Sequence, residues 1–320
     1  MVLKIEPLRK PHFNCIDGIL ATVAEFFNRP HEMMFAGCMG FGYDAAQNTF
    51  GKSLNVGIKN WSREMLLKYH GIKARWNEIK SYAVLHDLII DTIDLGCPIG
   101  VYVDSFYCST SPDYKKFHNN HYVLIIGYDE EAQGYHYVDP IFSAKKNVLP
   151  FYNLKRGFKE YIIFEKLENP IKNINLEDVS SDFNGIEVIE NMYDMTINFA
   201  EDFKAKFNLN AEIAEYNNEL KHSLMFRKID SIAQNRLKFS LSLRFLAEHF
   251  KNEDLKNVSK EIEKTRTEWE FMNMLLFKFH FTKNEKIKDK IYCLIKTIAD
   301  KELVVQSEIL EVINHEHEEN

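Results

Sequence analysis

The chain lacks several features that would place it in a well-defined class of protein. No stretch approaches the roughly 20 consecutive apolar residues of a membrane-spanning helix. Neither a phosphate-binding glycine loop nor a Rossmann glycine pattern occurs, which disfavours a nucleotide-dependent ligase. Basic residues are not in excess: residues 1–165 hold 18 Lys and Arg against 18 Asp and Glu, and the remainder holds 22 against 29. Because nucleic-acid binders neutralise phosphates with a basic excess, we expect no nucleic-acid partner.

Cysteine is also scarce, and no two cysteines form a C-x-x-C pair. The five are Cys15, Cys38, Cys97, Cys108 and Cys293. An odd number of thiols in a 320-residue chain favours free cysteines and a reducing compartment. The residues before Pro7 lead into no apolar segment of a secretory signal. We therefore expect a cytoplasmic protein that has no membrane partner and needs no metal or cofactor.

Secondary-structure patterns divide the chain into two regions. Within residues 1–168, helical periodicity dominates at first and strands rich in Ile, Val and Tyr follow at 98–103, 121–128, 135–138 and 160–165. The polar turn at 129–134 joins two of these strands into an antiparallel hairpin. Helices followed by antiparallel strands predict an α+β domain with an antiparallel sheet.

The C-terminal region predicts a different class of structure. Residues 169–185 are rich in Asn, Asp and Ser and predict a linker. No proline follows Pro170, and apolar residues recur every three or four positions through residues 186–320. This pattern predicts an all-α bundle of four or five helices. Its acidic excess is typical of a solvated helical surface, although it would also attract a cationic ligand.

Cys15 directly follows Asn14, the expected N-cap of the first helix. At such a position the helix macrodipole and the backbone N–H groups stabilise a thiolate, and the same N–H groups can receive an oxyanion. The alternative is that Cys15 is a small buried apolar side chain, as most cysteines are.

His121 opens one strand of the predicted hairpin, and Asp139 closes the other. A general base needs an acceptor that holds its tautomer, and the two strands can bring this pair to one end of the sheet. If the hairpin kept the register that pairs Tyr128 with Tyr135 along its whole length, the side chains of His121 and Asp139 would lie on opposite faces of the sheet. A longer turn or a bulge that sets Val123 opposite Asp139 would put them on one face.

Each of these residues also has a simpler interpretation. His121 is then an edge histidine, and Asp139, which precedes Pro140, caps a turn. His118 lies three residues before His121 and is the alternative base, but its loop position disfavours it.

A helix-start Cys followed by a strand His and then an Asp is the chain order of papain-like folds. Five segments in order resemble the BtrH-type family of butirosin biosynthesis, which is related to C39-type cysteine peptidases. They are His12–Gly18, Phe35–Tyr43, Val103–Tyr107, His121–Asp129 and Val138–Pro140. The resemblance covers about residues 8 to 165. It implies a papain-like, C39-like cysteine-protease fold for residues 1–168.

The resemblance implies acyl transfer in antibiotic biosynthesis. An acyl carrier protein would supply a thioester, and a small primary amine, an amino sugar or a diamine, would receive the acyl group as an amide. By motif position Cys15 would be the nucleophile, His121 the base and Asp139 the acceptor that orients it. Further residues match segments expected to contact substrate: Gly40, Phe41 and Gly42 in an acyl pocket, with Asp104 and Tyr107 near the site.

One position departs from the papain-like pattern. Papain-like peptidases place a Gln oxyanion donor about six residues before the Cys, where this sequence has Arg9. The remaining candidates for that donor are Asn14 and the backbone N–H of Cys15.

Two other functions stay open. The same triad supports hydrolysis, by a thioesterase or a C39-like peptidase, if water rather than an amine reaches the acyl-enzyme. The second is a non-catalytic binding protein built on a degenerate papain-like scaffold. The presence of all three side-chain types argues against it.

Overall fold

The computed structural model describes residues 1–56, 61–168, 174, 179 and 191–315. Its contacts divide the chain into two units. Unit one comprises Met1–His31 and Leu66–Lys172, and unit two comprises Glu32–Met65 and Asn173–Asn320. Residues 32–65 therefore group with the C-terminal region, although they are early in the sequence. The division 1–168, 169–185 and 186–320 stays a prediction, and its linker lies outside the described residues except for positions 174 and 179.

The helices and strands of the described residues are numbered in chain order. They are α1 (Cys15–Phe26), β1 (Phe41–Tyr43), α2 (Phe50–Ser53), β2 (Leu54–Val56), α3 (Trp61–His70), β3 (Ile72–Glu78), α4 (Tyr82–Asp94), β4 (Ile99–Asp104), β5 (Asn120–Asp129), β6 (Gly134–Val138), β7 (Lys146–Pro150), α5 (Phe151–Gly157), β8 (Glu160–Lys166), α6 (Met192–Lys206), α7 (Leu209–Ile213), α8 (Leu224–Phe250), α9 (Glu253–Thr282) and α10 (Glu285–His315).

Unit one is built on a six-stranded antiparallel sheet, which confirms the predicted α+β class. The strand order is β3-β8-β4-β5-β6-β7. The four predicted strands are β4, β5, β6 and β8, each within two residues of its predicted ends. The pattern missed β3 and β7. Both are edge strands with many half-exposed or exposed side chains, so they carry little apolar alternation.

One face of this sheet packs against α4. Leu85, Ile89 and Ile93 of that helix are fully buried, in the same apolar cluster as Val101, Val123, Tyr135 and Tyr137 of the sheet. Helix α1 packs near β5. This core holds in place the strand ends from which the polar residues described below project.

Unit two contains the predicted helical bundle. Helix α8 packs against α9, α9 against α10 and α10 against α6. The short strands β1 and β2 form an antiparallel pair in the same unit. Among the described helices, none combines the length and the hydropathy of a bilayer-spanning segment.

Candidate active site

Cys15 is the first residue of α1, and a capping box fixes the start of this helix. Asn14 Oδ1 accepts a hydrogen bond from the backbone N–H of Asp17 at 2.9 Å, and Asp17 Oδ2 accepts one from that of Asn14 at 3.0 Å. The predicted N-cap is thus confirmed. The first N–H groups of a helix have no intrahelical acceptor. The N–H of Cys15 is therefore available to an anion beside its half-exposed side chain.

Gly18 allows the first turn of α1 to approach the end of β6. A Cβ atom at Gly18 would lie only 2.6 Å from Pro140 Cβ. A larger residue would therefore push the helix start away from the segment that follows Asp139. Gly18 lies one turn after Cys15, so its missing side chain helps to bring the thiol to the strand ends.

A bulge in β5 sets the register of the hairpin. Near the turn Tyr128 pairs with Tyr135, as the simple register requires. The pairing then shifts between Ile125 and Gly127, so that Leu124 lies opposite Val138. A bulge of this kind adds one residue to a single strand and reverses the face of every later side chain.

The shifted register brings His121 and Asp139 together. The same register, continued by one step beyond Leu124 and Val138, would set Val123 opposite Asp139, the arrangement expected to put the two polar residues on one face. His121 Nε2 lies 2.9 Å from Asp139 Oδ2, and both side chains are buried.

Asp139 is a fully buried acceptor with a second task. Its Oδ1 accepts hydrogen bonds from the backbone N–H groups of Ile141 and Phe142, both at 3.1 Å. One carboxylate oxygen thus caps the Asp-Pro turn, as the simpler interpretation expects, and the other contacts His121.

The Cys15 thiol acts on the ring of His121 at short range, because it is among the groups that raise the pKa of His121. Because Nε2 of the ring is directed to Asp139, Nδ1 is the nitrogen left for the thiol. Burial lowers the pKa of His121, but the hydrogen bonds with Asp139 and Cys15 and the charges of Asp139 and Cys108 outweigh it and raise the pKa to about 10. Burial raises the pKa of Asp139, but the hydrogen bond and charge of His121 lower it below its usual range. Both shifts favour an imidazolium paired with a carboxylate.

A second cysteine, Cys108, lies close to this pair. The ligand atoms of Cys108, His121 and Asp139 are buried and lie within 4.8 Å of one another. Thiol, imidazole and carboxylate are also zinc ligands, so this group is the one that could hold a metal ion among the described residues. Cys108 is fully buried and contacts hydroxyl groups, Thr110 Oγ1 at 3.2 Å and the phenol of Tyr137 at 3.8 Å.

His118, the alternative base, is held elsewhere. Its Nδ1 lies 2.7 Å from Asp104 Oδ2, and its ring stacks on Phe106 with centroids 4.4 Å apart. Tyr107, also matched by motif, carries the guanidinium of Arg156 5.2 Å from its ring centroid. Asp104 and Tyr107 thus have partners of their own at the end of β4, and their role in substrate binding stays a prediction.

The glycine-rich segment expected to line an acyl pocket lies in unit two. Phe41 is fully buried there, with its ring centroid 6.0 Å from that of Phe199 and 5.9 Å from that of Trp269. A Cβ atom at Gly42 would lie 3.2 Å from Asn55 Cβ, so this glycine suits the close pairing of β1 and β2. The role of Gly40, Phe41 and Gly42 in acyl binding stays a prediction.

Arg9, which stands where papain-like peptidases carry their Gln, is exposed and donates a hydrogen bond to the carbonyl oxygen of Ile141 at 3.1 Å. Sequence reasoning missed Phe142, whose ring centroid lies 5.1 Å from that of His121. It also missed Thr110, which contacts Asp139. No motif marks either residue; only the folded loops bring them to the pair.

A row of polar aromatic residues lies next to His121 in the sheet. Tyr122 pairs with Tyr102 across β5 and β4, their rings are 5.6 Å apart, and the Tyr122 hydroxyl donates to the carboxylate of Glu160. Burial, the hydrogen bond and charge of Glu160 and the charge of Cys15 raise the pKa of Tyr122. The row therefore lies within electrostatic reach of the Cys15 thiol.

Comparison with known proteins gives one assignment. No curated protein matches the chain significantly. A family model described as "Butirosin biosynthesis protein H, N-terminal" matches residues 14–140, and this match contains Cys15, His121 and Asp139. The buried grouping of Cys108, His121 and Asp139 within it is consistent with a cysteine enzyme. Residues 14–140 are therefore a domain of the BtrH N-terminal family, whose description names butirosin biosynthesis.

Proposed function

We propose that the protein is a cysteine acyltransferase of papain-like fold that forms amides. It would move an acyl group from a carrier-protein thioester to a primary amine, an amino sugar or a diamine. One observation carries the proposal. The thiol at the start of α1 is close enough to His121 to raise the pKa of its ring, and Nε2 of that ring lies 2.9 Å from the buried carboxylate of Asp139.

In the first half-reaction the Cys15 thiolate attacks the carbonyl carbon of the thioester. The oxyanion is received by the backbone N–H of Cys15, with the amide of Asn14 as a second donor. When the tetrahedral intermediate collapses, the carbon–sulfur bond to the carrier breaks. The carrier thiolate leaves with a proton from His121, and acyl-Cys15 and neutral His121 remain.

In the second half-reaction the acceptor amine attacks acyl-Cys15, and His121 takes the proton that the nitrogen loses. Collapse forms the amide and releases the Cys15 thiolate beside the imidazolium. The thioester supplies the driving force, so the reaction consumes no nucleotide.

Cys15 fits the role of nucleophile better than Cys108. Cys15 is half-exposed at a helix start, whereas Cys108 is fully buried against Thr110 and Tyr137. An acyl chain attached to a carrier protein must reach the thiol from solvent, and Cys108 offers it no surface.

The polar aromatic row supports an amine as the acceptor. A carboxylate beside two tyrosine rings suits an ammonium group, and Lys159 already places its own ammonium 5.9 Å from the centroid of the Tyr102 ring. The family name, with its reference to butirosin biosynthesis, supports assembly of a natural product. The five free cysteines support a reducing compartment such as the cytoplasm.

Intact-mass spectrometry tests the proposal directly. The protein is incubated with an acyl N-acetylcysteamine thioester, first alone and then with a diamine or an amino sugar. We expect one acyl adduct on the Cys15 peptide, its discharge by the amine, and amide as the main product. Cys15→Ser should give no turnover, whereas Cys293→Ala, which changes an exposed thiol, should behave as wild type.

Three outcomes would overturn parts of the proposal. An adduct on Cys108 would reassign the nucleophile. Free acid as the only product with every amine tried would replace the transferase with a hydrolase. No adduct and no product with any thioester would favour a binding protein.

A further inference from the structure

The carboxylate of Asp139 receives a hydrogen bond from a residue that the proposed reaction does not use. Thr110 Oγ1 lies 2.6 Å from Asp139 Oδ2, the oxygen that His121 Nε2 also contacts at 2.9 Å. The other oxygen, Oδ1, is engaged by two backbone N–H groups at 3.1 Å. Both carboxylate oxygens therefore have two donors each, and the plane of the carboxylate is fixed from both sides.

The direction of the Thr110 hydrogen bond is also fixed. A hydroxyl group has one proton to donate. Tyr137 donates its phenol proton to Thr110 Oγ1 at 3.3 Å, and Cys108 Sγ lies 3.2 Å from the same oxygen. Burial and the charge of Cys108 raise the pKa of Tyr137, so its phenol keeps its proton. Thr110 is thus left to donate to Asp139, and the chain runs from Tyr137 through Thr110 to Asp139 and His121.

Such a chain has a definite consequence for His121. A carboxylate that accepts four hydrogen bonds is stabilised in its ionised form, so it stays an acceptor for the ring Nε2–H. The Nδ1 atom is then the one that exchanges a proton with the Cys15 thiol. If the Thr110 hydroxyl were missing, Asp139 would protonate more easily, and its oxygen could turn away from His121.

We propose that Thr110 is a positioning residue of the site, which acts on the Cys15–His121 pair through Asp139. This inference rests on the proposed function and extends the site to the segment 108–110 that follows β4. It also gives Cys108 a place, as a packing neighbour of the Thr110 hydroxyl rather than a second nucleophile.

Three variants test the role of the hydroxyl. Thr110→Val keeps the shape of the side chain and removes the donor, and Thr110→Ser keeps the donor. Thr92→Val is the matched control, because Thr92 is a buried threonine of unit one whose hydroxyl bonds to the Leu88 carbonyl at 2.6 Å. The single-turnover rate of Cys15 acylation is measured from pH 4 to 8, together with thermal unfolding.

We expect Thr110→Val to lower the acylation rate about tenfold, the effect of losing one hydrogen bond to a charged group. The acid limb of the pH–rate profile should move to higher pH, because Asp139 loses a donor that favours its ionised form. Thr110→Ser should restore most of the rate and the wild-type limb, and Thr92→Val should leave both unchanged. An unmoved limb with Thr110→Val, or an equal effect of Thr92→Val, would reduce Thr110 to a packing residue.

A second measurement separates this inference from the proposed function. In Cys15→Ala protein, the ring signals of His121 are followed by nitrogen-15 NMR as the pH falls. The transition that reports protonation of Asp139 should lie at higher pH when Thr110→Val is added, whether or not the protein transfers acyl groups. An unchanged transition would overturn the positioning role, whereas absence of acyl-Cys15 with every thioester would overturn only the proposed reaction.

Discussion

Both units bury an ion pair among their described residues, and the two pairs differ in what their cations touch. In unit two, Arg236 contacts Glu302 through two hydrogen bonds of 2.7 and 2.8 Å, and both side chains are buried. Trp269 donates to the same carboxylate at 3.0 Å, and Arg236 also donates to the Met39 carbonyl at 2.7 Å. Both carboxylate oxygens are bonded, and the guanidinium contacts only groups that do not react.

The pair in unit one is built differently. His121 contacts Asp139 through Nε2, which leaves Nδ1 for the half-exposed thiol of Cys15, one of the groups that raise the pKa of the ring. Its cation can lose its proton to a neighbour, which a guanidinium does not do in proteins. Burial of charge therefore does not distinguish the proposed catalytic pair from a structural one. The chemistry of the group that each cation contacts besides its carboxylate does.

The largest expected effect sharpens this comparison from the side of unit one. Asp139→Asn gives the side chain one oxygen and one NH₂ group in place of two acceptor oxygens. The oxygen can accept either from His121 or from the N–H groups of the turn, but not from both. The ring would then carry its proton on Nδ1 and could not take one from Cys15. We expect acylation to fall at least about 10³-fold, as a wrong tautomer does in a triad. Stability should fall by no more than about 2 kcal/mol, measured by urea unfolding.

A variant that keeps more than a tenth of the wild-type rate would show that Asp139 does not orient the base. Asp94→Asn is the matched control, since the Asp94 carboxylate of unit one accepts a hydrogen bond from the Tyr128 hydroxyl and does not contact His121.

In unit two we expect the opposite result, a large loss of stability with little change in the acylation rate. Glu302→Gln leaves Arg236 buried without its full counter-charge, so we expect the free energy of unfolding to fall by about 3–5 kcal/mol. The acylation rate of the folded fraction should change less than about threefold. Urea unfolding measures the free energy of unfolding, and rapid-quench assays measure the acylation rate.

The double variant Arg236→Met with Glu302→Leu provides the control, because replacing both partners with apolar groups is often close to neutral. If the double variant loses as much stability as Glu302→Gln, the attraction between Arg236 and Glu302 itself stabilises the bundle. The loss in Glu302→Gln would then not come only from leaving Arg236 unpaired.

The two pairs also differ in what the sequence predicted. Cys15, His121 and Asp139 each lie at the end of a regular element, where caps and strand periodicity are visible, so their meeting could be proposed. The bulge at Ile126 was an open alternative because a one-residue shift leaves the pattern on each strand intact. Arg236 and Glu302 lie on different helices of repetitive amphipathic pattern, and no periodicity specifies which charged positions face each other.

Residues 32–65 were also assigned by sequence position and not by contact. Their apolar residues have no helical or strand period long enough to name a partner, and their grouping with unit two arises from tertiary contacts such as that of Phe41 with Phe199. Thr110 was invisible for a related reason, because a single loop hydroxyl acquires a role only when the turn after β6 brings Asp139 to it.

The pH dependence of stability should also differ between the His121–Asp139 and Arg236–Glu302 pairs, and this effect is smaller. The pKa of His121 is raised to about 10 from 6.5, so its contribution to stability is complete below pH 6.5 and is lost as the pH rises through about 10. The pKa of Asp139 is lowered from 3.8, so its contribution is present above pH 3.8 and is lost only below it. The stability difference between wild type and His121→Gln/Asp139→Asn should be largest between about pH 4 and 6.5 and shrink toward pH 10.

The corresponding difference for Arg236→Met/Glu302→Leu should stay flat from pH 6 to 10, because a guanidinium keeps its charge throughout. Urea unfolding at five pH values measures both. A flat difference for the His121 pair would mean that the imidazolium does not depend on Asp139.

The smallest expected effect concerns Asn14, which combines a structural and a chemical role at the helix start. Its Oδ1 caps α1 by accepting from Asp17 N, whereas its NH₂ group is a candidate oxyanion donor. Serine caps a helix about as well as asparagine but has no amide. Asn14→Ser should therefore keep the free energy of unfolding within about 0.5 kcal/mol while acylation falls about tenfold. Asn14→Ala should acylate as slowly as Asn14→Ser, and its free energy of unfolding should be lower by a further ~1 kcal/mol because the cap is lost. If Asn14→Ser acylates at the wild-type rate, the backbone N–H of Cys15 receives the oxyanion without help from this side chain.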